Sequence, residues 1–240
     1  MPTNLQEEFW SGQPGDRYLE RNFNEGSRYD SRKVFYELFE ELPHREYSIL
    51  EVGCNCGINL QILERAGFKS LTGMDIHPGA LEEGRRRLPS ASFVKGSLLD
   101  LPFEDGSFDI VFSSGVLIHQ DPRTALSRAM KEMYRCAKEY IIGFEEYCEE
   151  VVTVEDYNPL AVGIEGIPPG YYWRAPYSTY WDDPGAYKWA SKTRVTADPP
   201  PYPYMHGGNF GGAVHLNALE LPKQKRRTWV REYYKFEKGD

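Results

Sequence analysis

The chain has 240 residues and a mass of 27.7 kDa, which is enough for one large domain or two small ones. No segment approaches the roughly 20 consecutive apolar residues that a membrane-spanning helix requires. The formal net charge is -8 and the pI is near 5.3, so the surface should repel nucleic acid. The first ten residues are polar and acidic, which predicts no secretory signal or transit peptide and favours the cytoplasm.

The four cysteines do not have the spacing of a disulfide framework or of a zinc site. Cys54 and Cys56 are separated by a single residue, whereas structural zinc ligands usually come as two pairs with a wider spacer. We therefore expect reduced thiols and no metal site.

Residues 1–47 are expected to form an irregular lead followed by one helix. Asp30 and Ser31 are candidate helix caps, and Pro43 ends the apolar pattern that follows them. The apolar residues at helical spacing are Val34, Phe35, Leu38, Phe39 and Leu42.

Residues 48–145 alternate short apolar runs with amphipathic segments, which is typical of a parallel β-sheet covered by helices on both faces. The predicted strands are 49–53, 71–75, 93–95, 108–113 and 140–144. The predicted helices are 59–66, a segment opened by Pro78, and a segment opened by Asp121 and Pro122. The sequence thus predicts an α/β domain.

The periodicity is lost after Glu145, where tyrosine, tryptophan, proline and glycine become frequent. A connection of this length inside a compact domain is usually a lid or a binding element, so we expect residues 146–212 to form an aromatic cap over a pocket. Residues 213–240 are expected to end the chain as an antiparallel hairpin, with strands at 214–219 and 228–236. All these segments are interpreted as parts of one domain over 1–240.

The most informative motif is the loop after the first predicted strand, from Gly53 to Gly57. Glycine at both ends lets the backbone approach a ligand at the carboxyl edge of the sheet, where the next helix begins. Asn55, in the middle, is one of the few residues other than glycine that tolerate a left-handed backbone. This pattern predicts a small-molecule site.

Asp75, at the end of the second predicted strand, follows this loop by about 20 positions, from which an acidic side chain reaches ribose hydroxyls. The alternative role for Asp75 is a helix cap before Pro78. A dinucleotide requires G-x-G-x-x-G, whereas here G-x-x-x-G follows Glu51, whose charge would repel a phosphate. The motif favours a ligand with an ammonium group and no phosphate.

Four short motifs follow one another: Glu51-Val52-Gly53-Cys54-Asn55-Cys56-Gly57, Asp75, Gly96-Ser97-Leu98-Leu99-Asp100-Leu101-Pro102-Phe103 and Ser107-Phe108-Asp109-Ile110-Val111-Phe112. In order and spacing they resemble the class I S-adenosylmethionine-dependent methyltransferases. Four further motifs resemble the methylases associated with pseudaminic acid biosynthesis, namely Phe9-Trp10-x-Gly12, Tyr18-x-x-Arg21-Asn22, Gly115-Val116-Leu117-Ile118-His119 and Tyr157-Asn158-Pro159.

The resemblance implies a doubly wound, Rossmann-like, seven-stranded and mostly parallel sheet, with S-adenosylmethionine as cofactor and S-adenosylhomocysteine as product. It implies that Glu51 places the cofactor ammonium group, that Asp75 binds ribose, and that Ile76 flanks adenine. The lead would fold over the pocket, where Arg21 either pairs with the cofactor carboxylate or forms a surface salt bridge. The implied cofactor contacts are Tyr18, Arg21, Glu51, Gly53, Cys54, Asn55, Gly57, Asp75, Ile76, Ser97, Leu98, Ser114, Gly115 and Val116.

Fewer residues in the sequence indicate how the methyl acceptor would bind. His119 follows the fourth predicted strand and is the candidate general base for a hydroxyl or protonated amine, while loop orientation or cofactor contact is its alternative role. A carboxylate or phosphonate acceptor needs no base, and Arg174 or Arg194 would then clamp it. The candidate acceptor-binding residues are Tyr171, Tyr172, Trp173, Arg174 and His206, and the alternative role of the aromatic ones is to form the core of the cap.

The sequence therefore predicts methyl transfer to a small-molecule acceptor, with an oxygen of a hydroxyl, carboxyl or phosphonate group on a sugar-like or natural-product metabolite as the target. A nicotinamide-dependent oxidoreductase and a cofactor-binding subunit without catalysis are the two alternatives.

Overall fold

The computed structural model describes residues 5–22, 39–40, 42, 44–147, 152–153, 173–174, 187–197 and 229–238, and for 21–22 and from 146 onward it describes the backbone. Its helices are α1 (Leu5–Ser11), α2 (Gln13–Asn22), α3 (Ile58–Arg65), α4 (Pro78–Arg87) and α5 (Leu126–Cys136). Its first five strands are β1 (Ser48–Val52), β2 (Ser70–Asp75), β3 (Ser92–Lys95), β4 (Phe108–Ser114) and β5 (Ala137–Tyr147). The later strands are β6 (Val152–Thr153), β7 (Trp173–Arg174), β8 (Tyr187–Ala197) and β9 (Trp229–Lys238).

Five parallel strands form the centre of the sheet in the order β3-β2-β1-β4-β5. The chain runs outward from β1 to β3 and then returns to the other side of β1 as β4. The loops that leave β1 and β4 therefore diverge, which opens a crevice at the carboxyl edge of the sheet. This is the fold position at which the sequence predicts a ligand.

Apolar side chains on the two faces of the sheet pack into two separate clusters. Successive strand residues point to opposite faces, so Leu50 belongs to one cluster and Ile49 to the other. The first cluster includes the buried stripe of α5, which is Leu126, Ala129, Met130 and Met133. The second includes Leu60 and Leu63 of α3, Leu81 of α4 and Phe39. Helices on both faces explain why the strands are continuous apolar runs.

The lead differs from the prediction, because residues 5–22 are two helices rather than an irregular segment. Their sequence has few apolar residues, so the helical pattern was weak. Of the helix predicted from Val34 to Leu42, residues 39 and 40 are described and helical. Contact with the core therefore stabilises α1 and α2, although their own sequence has only a weak helical pattern.

The last helix of the core begins at Leu126, later than predicted. The Asp121 side chain accepts a hydrogen bond from the Arg123 backbone N–H at 2.9 Å, and the Asp121 carbonyl accepts from Thr124 and Ala125. Asp121 therefore closes a turn before the helix instead of capping the helix itself.

The end of the chain also differs from the prediction in its pairing. β9 matches the predicted strand 228–236, but it pairs antiparallel with β5 on one side and with β8 on the other. β8 lies within the predicted cap, and the strand predicted at 214–219 lies outside the described residues. Alternation identifies a strand but not its partner, which the tertiary structure selects.

Among the described residues, no helix combines the length and the apolar character needed to cross a membrane. Within the same ranges, no group of three or more His, Cys, Asp or Glu residues could hold a metal ion.

Candidate functional site

A cavity lies at the carboxyl ends of β1, β2 and β4, and α1 and α2 cover it from the opposite side. The predicted residues that line it are Tyr18, Glu51, Gly53, Cys54, Asn55, Asp75, Ile76, Leu98, Ser114, Gly115, Val116 and His119. The sheet edge thus brings together residues that are far apart in the sequence.

Among the predicted cofactor residues whose side chains the structure describes, Gly57 and Ser97 do not line this cavity. Gly57 has φ +73° at the start of α3, where a Cβ would lie 2.8 Å from the Phe93 ring, so its role is to let helix and strand meet. The Ser97 hydroxyl donates to the Glu7 carboxylate and accepts from Leu99 N–H at 3.0 Å. Ser97 thereby links the loop after β3 to α1.

The predicted contacts in the cap are only partly described. Trp173 and Arg174 form β7, whose backbone lies next to the 3-10 turn Leu117–His119. Tyr171, Tyr172 and His206 lie outside the described residues, as does the side chain of Arg21.

The loop after β1 has the left-handed backbone that its sequence predicts. Gly53, Asn55 and Gly57 have φ values of +66°, +49° and +73°. The Asn55 N–H donates to Asp75 Oδ2 at 2.7 Å, so the acid at the end of β2 also holds this loop. The backbone can therefore approach a ligand without side chains in the way.

The alternative role of Asp75 as cap of α4 is not what the structure shows. The cap is His77, whose Nδ1 accepts from the Ala80 N–H at 3.0 Å. Asp75 Oδ1 instead accepts from the His77 N–H at 2.9 Å. Burial raises the pKa of Asp75, and the two N–H donors oppose this rise because they favour the carboxylate. The carboxylate lines the cavity with its remaining lone pairs.

Glu51 provides a second acidic group at the cavity, on β1. Its side chain is 2% exposed, and Asn59 of α3 donates its amide hydrogen to the carboxylate. Such a group destabilises a neighbouring phosphate and stabilises a neighbouring cation. Both acids therefore suit a ligand with positive charge.

Helices α1 and α2 contact three loops of the core. Glu7 accepts from Ser97, Asp16 lies 3.2 Å from His77 Nε2, and the Trp10 and His119 ring centroids are 4.3 Å apart. Gly15 permits this close approach, because a Cβ there would lie 2.0 Å from the Trp10 carbonyl and 2.5 Å from the His77 ring.

Several lining residues were not predicted from the sequence. Gln6, Glu7, Trp10 and Gly15 come from the lead, while Ile58, Asn59, Met74, His77, Gly96 and Gln120 come from the core. The motifs Phe9-Trp10-x-Gly12 and Tyr18-x-x-Arg21-Asn22 were the available signals for the lead, and neither gave a direction for the Trp10 ring. Contacts of this kind depend on how α1 crosses the sheet edge.

The part of the cavity beside His119 contains buried polar atoms that lack hydrogen bonds. Trp10 Nε1 and Gln120 Oε1 have no partner among the described residues, although both side chains line the cavity. A buried unpaired polar group costs about 1–3 kcal/mol. These atoms thus favour a ligand with polar groups on this side.

Glu145, near the end of β5, is a further group that the sequence did not single out. Its side chain is 1% exposed and accepts from the Val116 N–H at 3.1 Å. Burial raises the pKa of Glu145 to about 7, while the N–H groups of residues 116–118 oppose the rise.

Residues 50–140 match a family described as "Methyltransferase domain". A relative from Encephalitozoon cuniculi that bears the name methyltransferase is 32% identical over 130 residues, which cover 52% of this chain and 59% of the relative. The ubiquinone/menaquinone biosynthesis C-methyltransferase UbiE of Roseobacter denitrificans is 29% identical over 112 residues, or 43% of this chain and 45% of the relative. The chain spans about half the length of these curated relatives.

Solved structures show the same fold at low identity. Magnesium protoporphyrin IX methyltransferase (ChlM) from Synechocystis PCC 6803 superposes with a TM-score of 0.62 at 13% identity, covering 98% of this chain and 99% of that one. The PH0226 protein of Pyrococcus horikoshii OT3 has a TM-score of 0.61 at 16% identity, with coverage of 97% and 99%. The predicted Rossmann-like α/β class and the predicted cofactor are confirmed. Residues 50–140 are thus similar in sequence to a methyltransferase domain, and the fold of the described residues is the one that these solved structures share.

Proposed function

We propose that this chain transfers a methyl group from S-adenosylmethionine to an oxygen atom of a small, hydroxylated acceptor. The observation that supports this most directly is the pair of acids at the cavity, Asp75 beside the left-handed loop after β1 and Glu51 beneath it. A positively charged cofactor with a ribose and no phosphate matches these groups, whereas a dinucleotide does not.

The lining residues fit this cofactor by their chemistry. Asp75 would accept from the ribose hydroxyls, and Glu51 with Asn59 would hold the ammonium group. Ile76, Leu98 and Met74 provide apolar surface for the adenine ring. When bound, the cofactor supplies an electrophilic methyl group on its sulfonium.

The acceptor would enter between His119, Gln120 and Trp10. His119 is the candidate base that takes the hydroxyl proton, and the Trp10 ring packs against it to limit its rotation. A hydroxylated acceptor both donates and accepts hydrogen bonds, so it suits the unpaired Gln120 Oε1 and Trp10 Nε1. The resemblance to pseudaminic acid-associated methylases also favours a sugar-like acceptor, and this remains a prediction.

Labelled methyl transfer into a metabolite extract tests the proposal. The protein is incubated with isotopically labelled S-adenosylmethionine, and the extract is read by mass spectrometry. We expect one labelled small molecule with wild type, none with Asp75→Ala, and a strongly reduced amount with His119→Gln.

The control is Glu139→Gln, which removes a carboxylate from β5 outside the cavity and should label normally. Cofactor binding without any labelled product would favour a cofactor-binding subunit instead. Tight binding of a nicotinamide cofactor would support the oxidoreductase alternative. Normal labelling by His119→Gln would exclude His119 as the base.

A further inference from the structure

The buried carboxylate of Glu145 binds the loop that connects β4 to the acceptor side of the cavity. Its two oxygens lie 3.1 and 3.3 Å from the Val116 nitrogen. The N–H groups of Leu117 and Ile118 also face this carboxylate. Glu145 thus serves as an acceptor at the start of the 3-10 segment Leu117–His119, where the first N–H groups have no carbonyl acceptor within the segment itself.

This loop places two groups at the cavity. His119 ends the 3-10 turn and packs on Trp10, and Val116 packs on the glycine loop after β1. The packing at Val116 is tight, since a Cβ on Gly53 would lie 2.5 Å from a Val116 methyl. The neighbouring Gly115 N–H donates to the Phe144 carbonyl at 2.9 Å, so β5 holds the loop at two successive residues.

We infer that Glu145 is a positioning residue whose carboxylate holds residues 116–118 and thereby directs His119 and Val116 into the cavity. The inference deepens the proposed function and rests on it for the role of His119. Glu145 does not itself line the cavity, so its effect passes through the loop.

The protonation state of Glu145 should control the order of the loop. An ionised carboxylate accepts with both oxygens, whereas a protonated one turns one oxygen into a donor and loses acceptor capacity towards the N–H groups. Because the pKa of Glu145 is about 7, this change falls near neutral pH. The loop should be more ordered above this pH than below it.

Charged residues on the described elements around Glu145 come from the loop and from β5, β7, β8 and β9. The loop has one titratable residue, His119, and the adjacent residue on β5 is Glu146. Glu232 is the register partner of Glu145 on β9 and is itself paired in register with Arg194 of β8. β7, which carries Arg174, also lies next to the 3-10 turn.

Hydrogen exchange of the full chain tests this inference without any acceptor. Protection of the amides of residues 116–118 is measured between about pH 5.5 and 8.5 and corrected for the intrinsic exchange rate. In wild type, we expect protection to rise as the pH passes through about 7. Glu145→Gln should lower protection about tenfold at high pH and remove the pH dependence. The matched control Glu139→Gln, on the same strand, should behave as wild type.

A second readout reports His119 directly. Chemical modification of His119 is followed by mass spectrometry at one fixed pH, with the exposed His44 as internal standard. Glu145→Gln should expose His119 and accelerate its modification relative to His44. Unchanged modification, or wild-type protection that does not vary with pH, would overturn the inference.

The wild-type exchange profile needs no variant, so the test holds even if Glu145→Gln folds poorly. Failure of the proposed function would look different. It would appear as absent methyl transfer in wild type while the exchange and modification results stand.

Discussion

Gly53→Ala offers a quantitative test of how the loop after β1 is built. Gly53 has φ +66°, which costs a residue with a side chain about 1–2 kcal/mol. The new Cβ would also lie 2.5 and 2.7 Å from the two Val116 methyls. Val116 is β-branched and cannot turn away easily, so overpacking adds about 1–3 kcal/mol. We expect a total loss of about 2–5 kcal/mol in the free energy of unfolding.

Two further variants separate the backbone contribution from the steric one. Gly115 has φ +67° with nothing within 4 Å of a Cβ, so Gly115→Ala should show only the backbone cost of about 1–2 kcal/mol. Combining Gly53→Ala with Val116→Ala removes both methyls and should recover about 1–3 kcal/mol relative to additivity.

Denaturant unfolding gives these free energies, and calorimetric titration with S-adenosylhomocysteine gives the affinity. Gly53 and Val116 both line the cavity, so Gly53→Ala should also weaken binding by about 10- to 100-fold. The reasoning is refuted if Gly53→Ala is no more destabilising than Gly115→Ala. Additivity of the double variant within about 0.5 kcal/mol would refute it equally.

Three further predictions follow from charged groups. Asp75→Ala should weaken S-adenosylhomocysteine binding by at least about 100-fold in calorimetry, since it removes charge-assisted bonds worth about 1.5–3 kcal/mol each; unchanged affinity would contradict the ribose role. Asp16→Asn should lower the free energy of unfolding by under about 1 kcal/mol, because Asp16 is exposed. It should nevertheless lower hydrogen-exchange protection in α1 and α2, and equal protection would refute the contact with His77. Burial raises the pKa of Glu145 on folding from 4.5 to about 7, so its contribution to the free energy of global unfolding is complete below pH 4.5 and is lost as the pH rises to about 7. The bonds from the N–H groups of the loop oppose this rise, so local order of the loop, with Glu145 still buried, follows the opposite trend. Denaturation of Glu145→Gln should lack this loss of about 3 kcal/mol, and an identical pH dependence in both proteins would exclude it.

The residues that line the cavity at the carboxyl edge of the sheet could be predicted because local sequence determines their backbone and charge. Gly53, Asn55 and Asp75 each need a particular backbone or charge at the end of a strand, and these requirements appear in the sequence as residue types at fixed spacing. Alternating apolar runs likewise predicted the parallel core, because strands covered on both faces must be apolar throughout.

The tertiary structure alone decided how α1 and α2 cover the cavity and how Glu145 contacts the loop after β4. Trp10 meets His119, and Glu145 meets Val116, across separations that leave no periodic trace in the sequence. Whether β9 pairs with β5 and β8 also depends on which edges are near in space. Such contacts form between elements that are already packed, so burial and geometry select them rather than local propensity.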